Sequence, residues 1–338
     1  MGNIKLLIDF GSTFTKAVAV DLDKEEIVAQ ARVPSTVESD ITIGLEQVLT
    51  GIAGSIDVNR VGRADTLACS SAAGGLRMVC IGFVPDLTGK AAHHAALGAG
   101  AKIVGLYSYK LTSQEVSEIE SVSPDIILLS GGTDGGDEQV IIHNARMLSR
   151  CNHNTVKNII VAGNKTTYDE INTIFQDTGQ RVLFTKNVMP EIGILDVGPC
   201  NHEIREIFLK NIIQAKGIAR VQDITGKVIM PTPSAVLEAA KLMANGCGAE
   251  SGMGELVIID PGGATTDVHS VATGNPKKDG VILYNSLPEP YVKRTVEVNL
   301  GLKHNIDTLK EFVEGKESLP DFEIIVKRFC EGNLPGSE

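Results

Sequence analysis

The sequence predicts an α/β protein in which two lobes face each other through paired hairpin loops, with a smaller parallel unit inserted between them. The first observation is a repeat. Asp9-Phe10-Gly11-Ser12-Thr13-Phe14-Thr15-Lys16 and Asp260-Pro261-Gly262-Gly263-Ala264-Thr265-Thr266-Asp267 each place a glycine two residues after an aspartate and a threonine six residues after it. The second is the flanking pattern: Leu6-Leu7-Ile8 and Leu256-Val257-Ile258-Ile259 lead in, and Ala17-Val18-Ala19-Val20 and Val268-His269-Ser270-Val271 lead out. Such residues favour strands, so each copy reads as a hairpin. The third is an alternation of short apolar runs and helical patterns over 125–190, as parallel strands joined by right-handed crossovers require.

The elements follow in order. Ile4–Asp9, Thr13–Asp21 and Glu26–Val33 form a three-strand meander ending at Pro34. Thr42–Ser55 spaces Ile43, Leu45, Val48, Leu49 and Ile52 as a helix does. Thr66–Ser70 and Leu76–Val84 are strands separated by the small residues Ser71-Ala72-Ala73-Gly74-Gly75. Lys90–Ala101 is an alanine-rich helix, followed by strand Lys102–Ser108 and helix Gln114–Ser121. The inserted βαβαβ unit comprises strands Asp125–Ser130, Asn158–Ala162 and Gln180–Thr185 with helices Gln139–Ser149 and Tyr168–Asp177. Asn201–Ala215 is a long helix, and Met230-Pro231-Thr232-Pro233 precedes helix Ser234–Asn245 with Ser234 as its expected cap. The expected units are therefore 1–124 (first lobe), 125–190 (insert) and 191–338 (second lobe).

The repeated motif has a chemical reading. Glycine lets backbone N–H groups approach phosphate oxygens, since no Cβ intervenes. Ser12, Thr13, Thr265 and Thr266 add hydroxyl groups, and Lys16 adds a compact positive charge. Asp9 and Asp260 would repel: at about 6 Å and an effective dielectric near 20 the cost is on the order of 3 kcal/mol. A magnesium ion, or its bound waters, would reverse that sign. The candidate metal-serving and catalytic residues are thus Asp9 and Asp260, and the phosphate cradle is Gly11, Ser12, Thr13, Lys16, Gly262, Gly263, Ala264 and Thr265. A lone Asp-x-Gly at a strand end is usually only a turn; two copies at matching offsets point to a shared ligand. Neither copy is a Walker loop or a dinucleotide fingerprint, because no Gly-Lys-Ser/Thr occurs and each motif runs on into a strand.

Composition narrows the function classes. The 338 residues include 35 glycines, 43% hydrophobic residues, 4% aromatic residues and no tryptophan, so a base-stacking surface is not expected. A net charge of −11 argues against a polyanion-binding face and against nucleic acid as a partner. Six scattered cysteines without a C-x-x-C pair, and no N-terminal signal pattern, suit free thiols in a cytoplasmic protein. No apolar run is long enough for a membrane span. The loop Gly131-Gly132-Thr133-Asp134-Gly135-Gly136, between a strand and a helix, reads equally as an anion site or as a flexible connection. Adjacent His93 and His94 point about 100° apart on a helix and are read as structural. The acidic stretch Glu115–Glu120 is read as a solvated helix face.

The paired motifs resemble phosphate 1 and phosphate 2 of the actin, Hsp70 and sugar-kinase ATPase superfamily. More closely, nearly the whole chain resembles the accessory (MutL-type, reactivating) proteins of adenosylcobalamin-dependent glutamate (methylaspartate) mutase. The stretches that carry this are Ile8–Lys16, Ser70–Leu87, Leu97–Lys102, Pro124–Gly136, Val188–Glu191, Met230–Leu237, Ile259–Ala272 and Leu287–Glu297. Nothing resembles the DNA mismatch-repair ATPase that shares the short name. The resemblance implies actin-like (ribonuclease H-like) ATPase lobes, ATP and Mg²⁺ as ligands, and an adenosylcobalamin-dependent mutase as partner. It implies a chaperone-like ATPase that promotes exchange of damaged cobalamin. By position it assigns Asp9, Gly11, Ser12, Thr13 and Lys16 to phosphate 1, and Asp260, Gly262, Gly263, Ala264 and Thr265 to phosphate 2. Pro261 stands where the family usually has an aliphatic residue, and no adenosine-binding glycine motif follows Asp267, so an incomplete second lobe is expected. Two other readings stay open: a small-molecule kinase of the same fold, and a non-catalytic mutase-binding subunit.

Overall fold

A computed structural model describes residues 3–36, 39–58, 61–62, 65–71, 76–213, 228–263, 265–274, 287–297 and 301. The chain begins with strands β1 (Ile4–Phe10), β2 (Phe14–Asp21) and β3 (Glu26–Pro34), then helix α1 (Ile41–Ile52) and β4 (Thr66–Ser70). Next come β5 (Arg77–Gly82), α2 (Lys90–Gly98), β6 (Lys102–Ser108), α3 (Ser113–Val122) and β7 (Ile126–Leu129). They are followed by α4 (Gln139–Leu148), β8 (Asn158–Val161), α5 (Tyr168–Phe175), β9 (Arg181–Phe184) and α6 (Gly198–Ile213). The last described elements are β10 (Val228–Pro231), α7 (Thr232–Asn245), the short β11 (Gly246–Cys247) and β12 (Glu250–Ser251), then β13 (Leu256–Pro261), β14 (Thr266–Val271) and β15 (Val292–Glu297).

The first sheet has the order β10-β4-β1-β2-β3. Only β2 runs against its neighbours: β1 pairs antiparallel with β2 and parallel with β4, and β4 parallel with β10. That 3-2-1-4-5 arrangement is the actin-like (ribonuclease H-like) lobe expected from the sequence. Alternation explains which side is covered. Leu6, Ile8 and Phe10 are buried with Leu45, Val48 and Ile52 of α1, while Leu7 and Leu67 remain about 40% exposed on the other face.

The second large sheet is parallel, with order β6-β5-β7-β8-β9. Its central strands are buried on both faces, as parallel strands flanked by helices must be. The period of two divides them between two cores. Met78, Cys80, Ile126, Leu128 and Ile160 join α1, α2 and α6 in one. Val79, Ile81, Ile127, Leu129, Ile159 and Val161 join the apolar faces of α3, α4 and α5 in the other. The three expected strands and two helices of the insert are present, but the sheet reaches beyond the expected boundary at 125 to include β5 and β6. The boundary at 190 is crossed as well, since β10 completes the first sheet.

The third sheet, β13-β14-β15, is antiparallel and packs on α7 through Ala240, Ala244, Leu256, Ile258 and Val271. Helix α2 connects it to the rest. Its alanines at 91, 92, 95 and 96 are fully buried, and small side chains allow close approach. Helix α3 opens with a capping box between Thr112 and Glu115. Helix α7 begins earlier than the sequence suggested. Pro231 is its cap residue and Thr232, Pro233 and Ser234 form its first turn, so Ser234 lies inside the helix, fully buried with its hydroxyl unpartnered. Proline is tolerated there because first-turn N–H groups have no helical partner. Among the described residues, five cysteines are free thiols and no helix is long and apolar enough to cross a membrane.

Candidate functional site

The sequence repeat is a structural repeat at the same offsets. Asp9 pairs with Lys16 across the first hairpin, and Asp260 with Asp267 across the second, each seven residues on. Gly11 donates its N–H to Phe14 O at 3.0 Å; Gly262 donates to Thr265 O at 2.8 Å, again three residues on. This turn explains the glycines. A Cβ on Gly11 would stand 2.6 Å from Phe14 O, and one on Gly262 3.0 Å from Thr265 O. Their N–H groups are therefore used within the loop, while those of Ser12, Thr13 and Gly263 make no backbone hydrogen bond to a described residue.

The two tips meet. A Cβ on Gly263 would collide with Thr13 Oγ1 and lie 3.4 Å from Thr13 Cβ. Ser12 is exposed at the first tip, and Thr13, Gly262, Gly263 and Thr265 are half-buried. Ala264 lies outside the described residues. Thr15, the threonine of the six-residue offset, is fully buried beside Gly44 of α1, so in the first hairpin that position belongs to the core.

Asp9 is held from several sides. Thr232 Oγ1, in the first turn of α7, donates to Asp9 Oδ1 at 2.7 Å. Lys16 Nζ stands 3.5 Å from Asp9 Oδ2. The Cys69 thiol donates to Oδ1 at 3.5 Å, and burial first, then the Asp9 charge, pushes its pKa up to about 12. Cys69 is thus a neutral S–H donor. Asp260, half-buried, accepts no hydrogen bond from a described residue. Both carboxylates, with the nearby threonine hydroxyls, are hard oxygen donors of the kind that suit Mg²⁺ together with phosphate oxygens and water. Among the described residues, no group of three or more His, Cys, Asp or Glu side chains converges as a metal cage.

The second hairpin is braced from behind. Arg294 of β15 grips Asp267 Oδ1 through Nε and Nη2, each at 2.6 Å, with both side chains nearly buried. Its Nη1 donates to Leu97 O and Ala101 O, each at 3.2 Å, at the C-terminal end of α2. A cation there also meets the negative end of the helix dipole. His269, two residues on, is fully buried with neither ring nitrogen hydrogen-bonded, and burial holds its pKa below the ordinary value. A second tie joins the same elements. Glu289 takes Lys90 at 2.5 Å and Lys293 at 2.9 Å; although burial pushes its carboxyl up, those two bonds hold its pKa down at about 2.

The glycine loop after β7 is occupied by its own neighbours. Asn164 accepts from Gly135 N and donates to Gly136 O and Asp137 O, while Asn187 donates to Gly132 O and Asp134 Oδ1. Asp137 accepts from Val140 N in the first turn of α4. A carboxylate already fills that helix end, so the loop is a connection and not an anion site. Sequence reasoning missed Thr232, Cys69 and Arg294. Thr232 had a signal, a threonine between prolines before a helix; Arg294 had none beyond lying in a matched stretch.

Residues 5–326 match the MutL protein family model. A curated relative, Protein MutL of Clostridium tetanomorphum, is 49% identical over 306 residues; the match spans 90% of this chain and 66% of the relative. Among solved structures, nucleotide-free acetone carboxylase aligns over 89% of this chain and 49% of its own, at 14% identity and a TM-score of 0.38. The activator of 2-hydroxyisocaproyl-CoA dehydratase from Clostridium difficile, with bound ADPNP, aligns over 62% of this chain and 97% of its own, at 11% identity and a TM-score of 0.16. Those two likenesses carry no weight beside the strand order of the first sheet. With its repeated hairpins, its topology and a family match over nearly its whole length, this chain belongs to the MutL protein family.

Proposed function

We propose that this chain is a nucleotide-dependent accessory factor of an adenosylcobalamin-dependent mutase, glutamate mutase or a related aminomutase. It uses Mg-ATP binding and hydrolysis between its lobes to promote exchange of damaged cobalamin. The observation that carries this reading is the meeting of the hairpin tips, Gly263 against Thr13, with an aspartate behind each.

In this reading the backbone N–H groups of Ser12, Thr13 and Gly263 hold phosphate oxygens, together with Ala264 and Thr265. Lys16 neutralises phosphate charge from the side of Asp9. Mg²⁺, when bound, offsets the repulsion between Asp9, Asp260 and phosphate. Thr232 positions Asp9 by its 2.7 Å hydrogen bond. Gly11 and Gly262 shape the turns. The first lobe is the sheet containing β1 and β2, the second is β13-β14-β15, and the parallel sheet lies between them in sequence. A phosphate chain bridging both tips favours their approach, and its cleavage removes the bridge.

The test is reactivation. Inactivated mutase, fresh adenosylcobalamin, Mg-ATP and this chain are mixed, and mutase turnover is followed. Recovery that needs ATP and fails with Asp9→Ala supports the proposal. Absence of recovery, where a longer family member restores turnover in the same assay, contradicts it. Formation of ADP driven by a small molecule without mutase would instead mark a kinase.

A further inference from the structure

A cleft of about 330 Å³ opens where α2, α6, α7 and the segment entering β15 converge. Its polar lining includes His94 from α2, His202 and Arg205 from α6, Glu238 and Lys241 from α7, and Lys293 from β15. The charge in this corner does not balance. Glu238 is shared by Arg205 at 3.3 Å and Lys241 at 3.9 Å. Glu289, at the edge, is shared by Lys90 and Lys293. Among the described residues that line the cleft, Arg205, Lys241 and Lys293 stand with one carboxylate, Glu238, a formal excess of two positive charges in a chain whose net charge is −11. Two polar nitrogens here also make no hydrogen bond among the described residues: Arg205 Nε, and Nε2 of the nine-tenths-buried His94, which stands 3.6 Å from Glu289 Oε2. Buried polar atoms without hydrogen bonds cost stability unless something satisfies them. The first turn of the 16-residue α6 adds the positive end of a helix dipole.

We propose that this cleft is a binding site for a small phosphate-bearing dianion. Two excess charges match a dianion. The cationic groups come from α6, α7 and β15 and so approach from diverging directions, which suits a tetrahedral oxyanion better than a flat carboxylate held in one fork. The site is separate from the hairpin tips. Lys241 lies nine residues along α7 from Thr232, which is about 13 Å of helix. An anion held there ties α2 and α6 to α7 and β15, the elements that carry the second hairpin.

The test is titration calorimetry on the full chain with inorganic phosphate, pyrophosphate and succinate as probes. Saturable phosphate binding is expected, weakened about tenfold by Arg205→Gln or Lys241→Gln as each removes a charge-assisted bond. Lys110→Gln, an exposed residue just after β6 that belongs to neither site, should leave it unchanged. Glu238→Gln should tighten it several-fold by removing the competing carboxylate, a gain that misfolding cannot produce. The proposal is overturned if phosphate shows no saturable binding, if Lys16→Gln abolishes it while Arg205→Gln does not, if Glu238→Gln weakens it, or if succinate binds as tightly as phosphate.

Discussion

In the first hairpin the residue opposite the leading aspartate is Lys16, more than half exposed and 3.5 Å from Asp9. In the second it is Asp267, nearly buried and fixed by Arg294 to the end of α2. The backbone turns are alike, so the glycine hydrogen bond specifies the loop in both copies. The seventh residue distinguishes them. One hairpin presents its charge outward, and the other uses its charge to anchor the sheet behind it. A repeat in sequence can thus keep its turn while one copy exposes its charge and the other ties its sheet to α2.

The largest expected effect comes from the anchor. Replacing Arg294 by Met strands the buried Asp267 carboxylate and should cost about 3–5 kcal/mol in a denaturant melt. Asp267→Asn added to it should restore part of that loss. Lys16→Met, at the matching position, should change stability by no more than about 0.5 kcal/mol because the pair is exposed. Equal costs at the two positions would break the comparison.

Glycine substitutions come next. Gly11→Ala puts a Cβ 2.6 Å from a backbone oxygen and should cost about 1–3 kcal/mol. Gly262→Ala, with its closest approach at 3.0 Å, should cost less. The reverse order would mean that the turns are not equivalent.

Glu289 gives a pH-dependent tie. Its carboxyl is held at about 2 against an ordinary 4.5, so its contribution is present above pH 4.5 and is lost as pH falls toward 2. Glu289→Gln should remove about 1–2 kcal/mol at neutral pH. It should also flatten the acid limb of stability against pH between those two values. An unchanged limb would show that Glu289 does not join α2 to β15. The smallest effect is Thr232→Ala, about 0.5–1.5 kcal/mol for one hydrogen bond, with Thr232→Ser restoring it.

Local features were legible in the sequence because they depend on near neighbours. The hairpins, their strands and the offsets of Gly11 and Gly262 were read from short windows. So were β4, β6 and most helices, to within a few residues at their ends. What escaped is non-local. β5 and β6 are legible as strands, yet the pairing of β5 with β7, which brings both into the parallel sheet, depends on segments brought together from far apart. Thr232 reaches Asp9 across 223 positions, and Arg294 reaches Leu97 across 197. Ser234 was misplaced as a cap because two prolines before it look like punctuation, although both fit the start of a helix.

The central claim is that the two hairpins hold one magnesium nucleotide between them. Titration calorimetry of Mg-ATP into this 338-residue chain, with Asp9→Ala and Asp260→Ala alongside, tests it most directly. The account predicts saturable binding that either substitution abolishes while the thermal melt stays cooperative. Binding that survives both substitutions, or no binding to the unaltered chain, would contradict it.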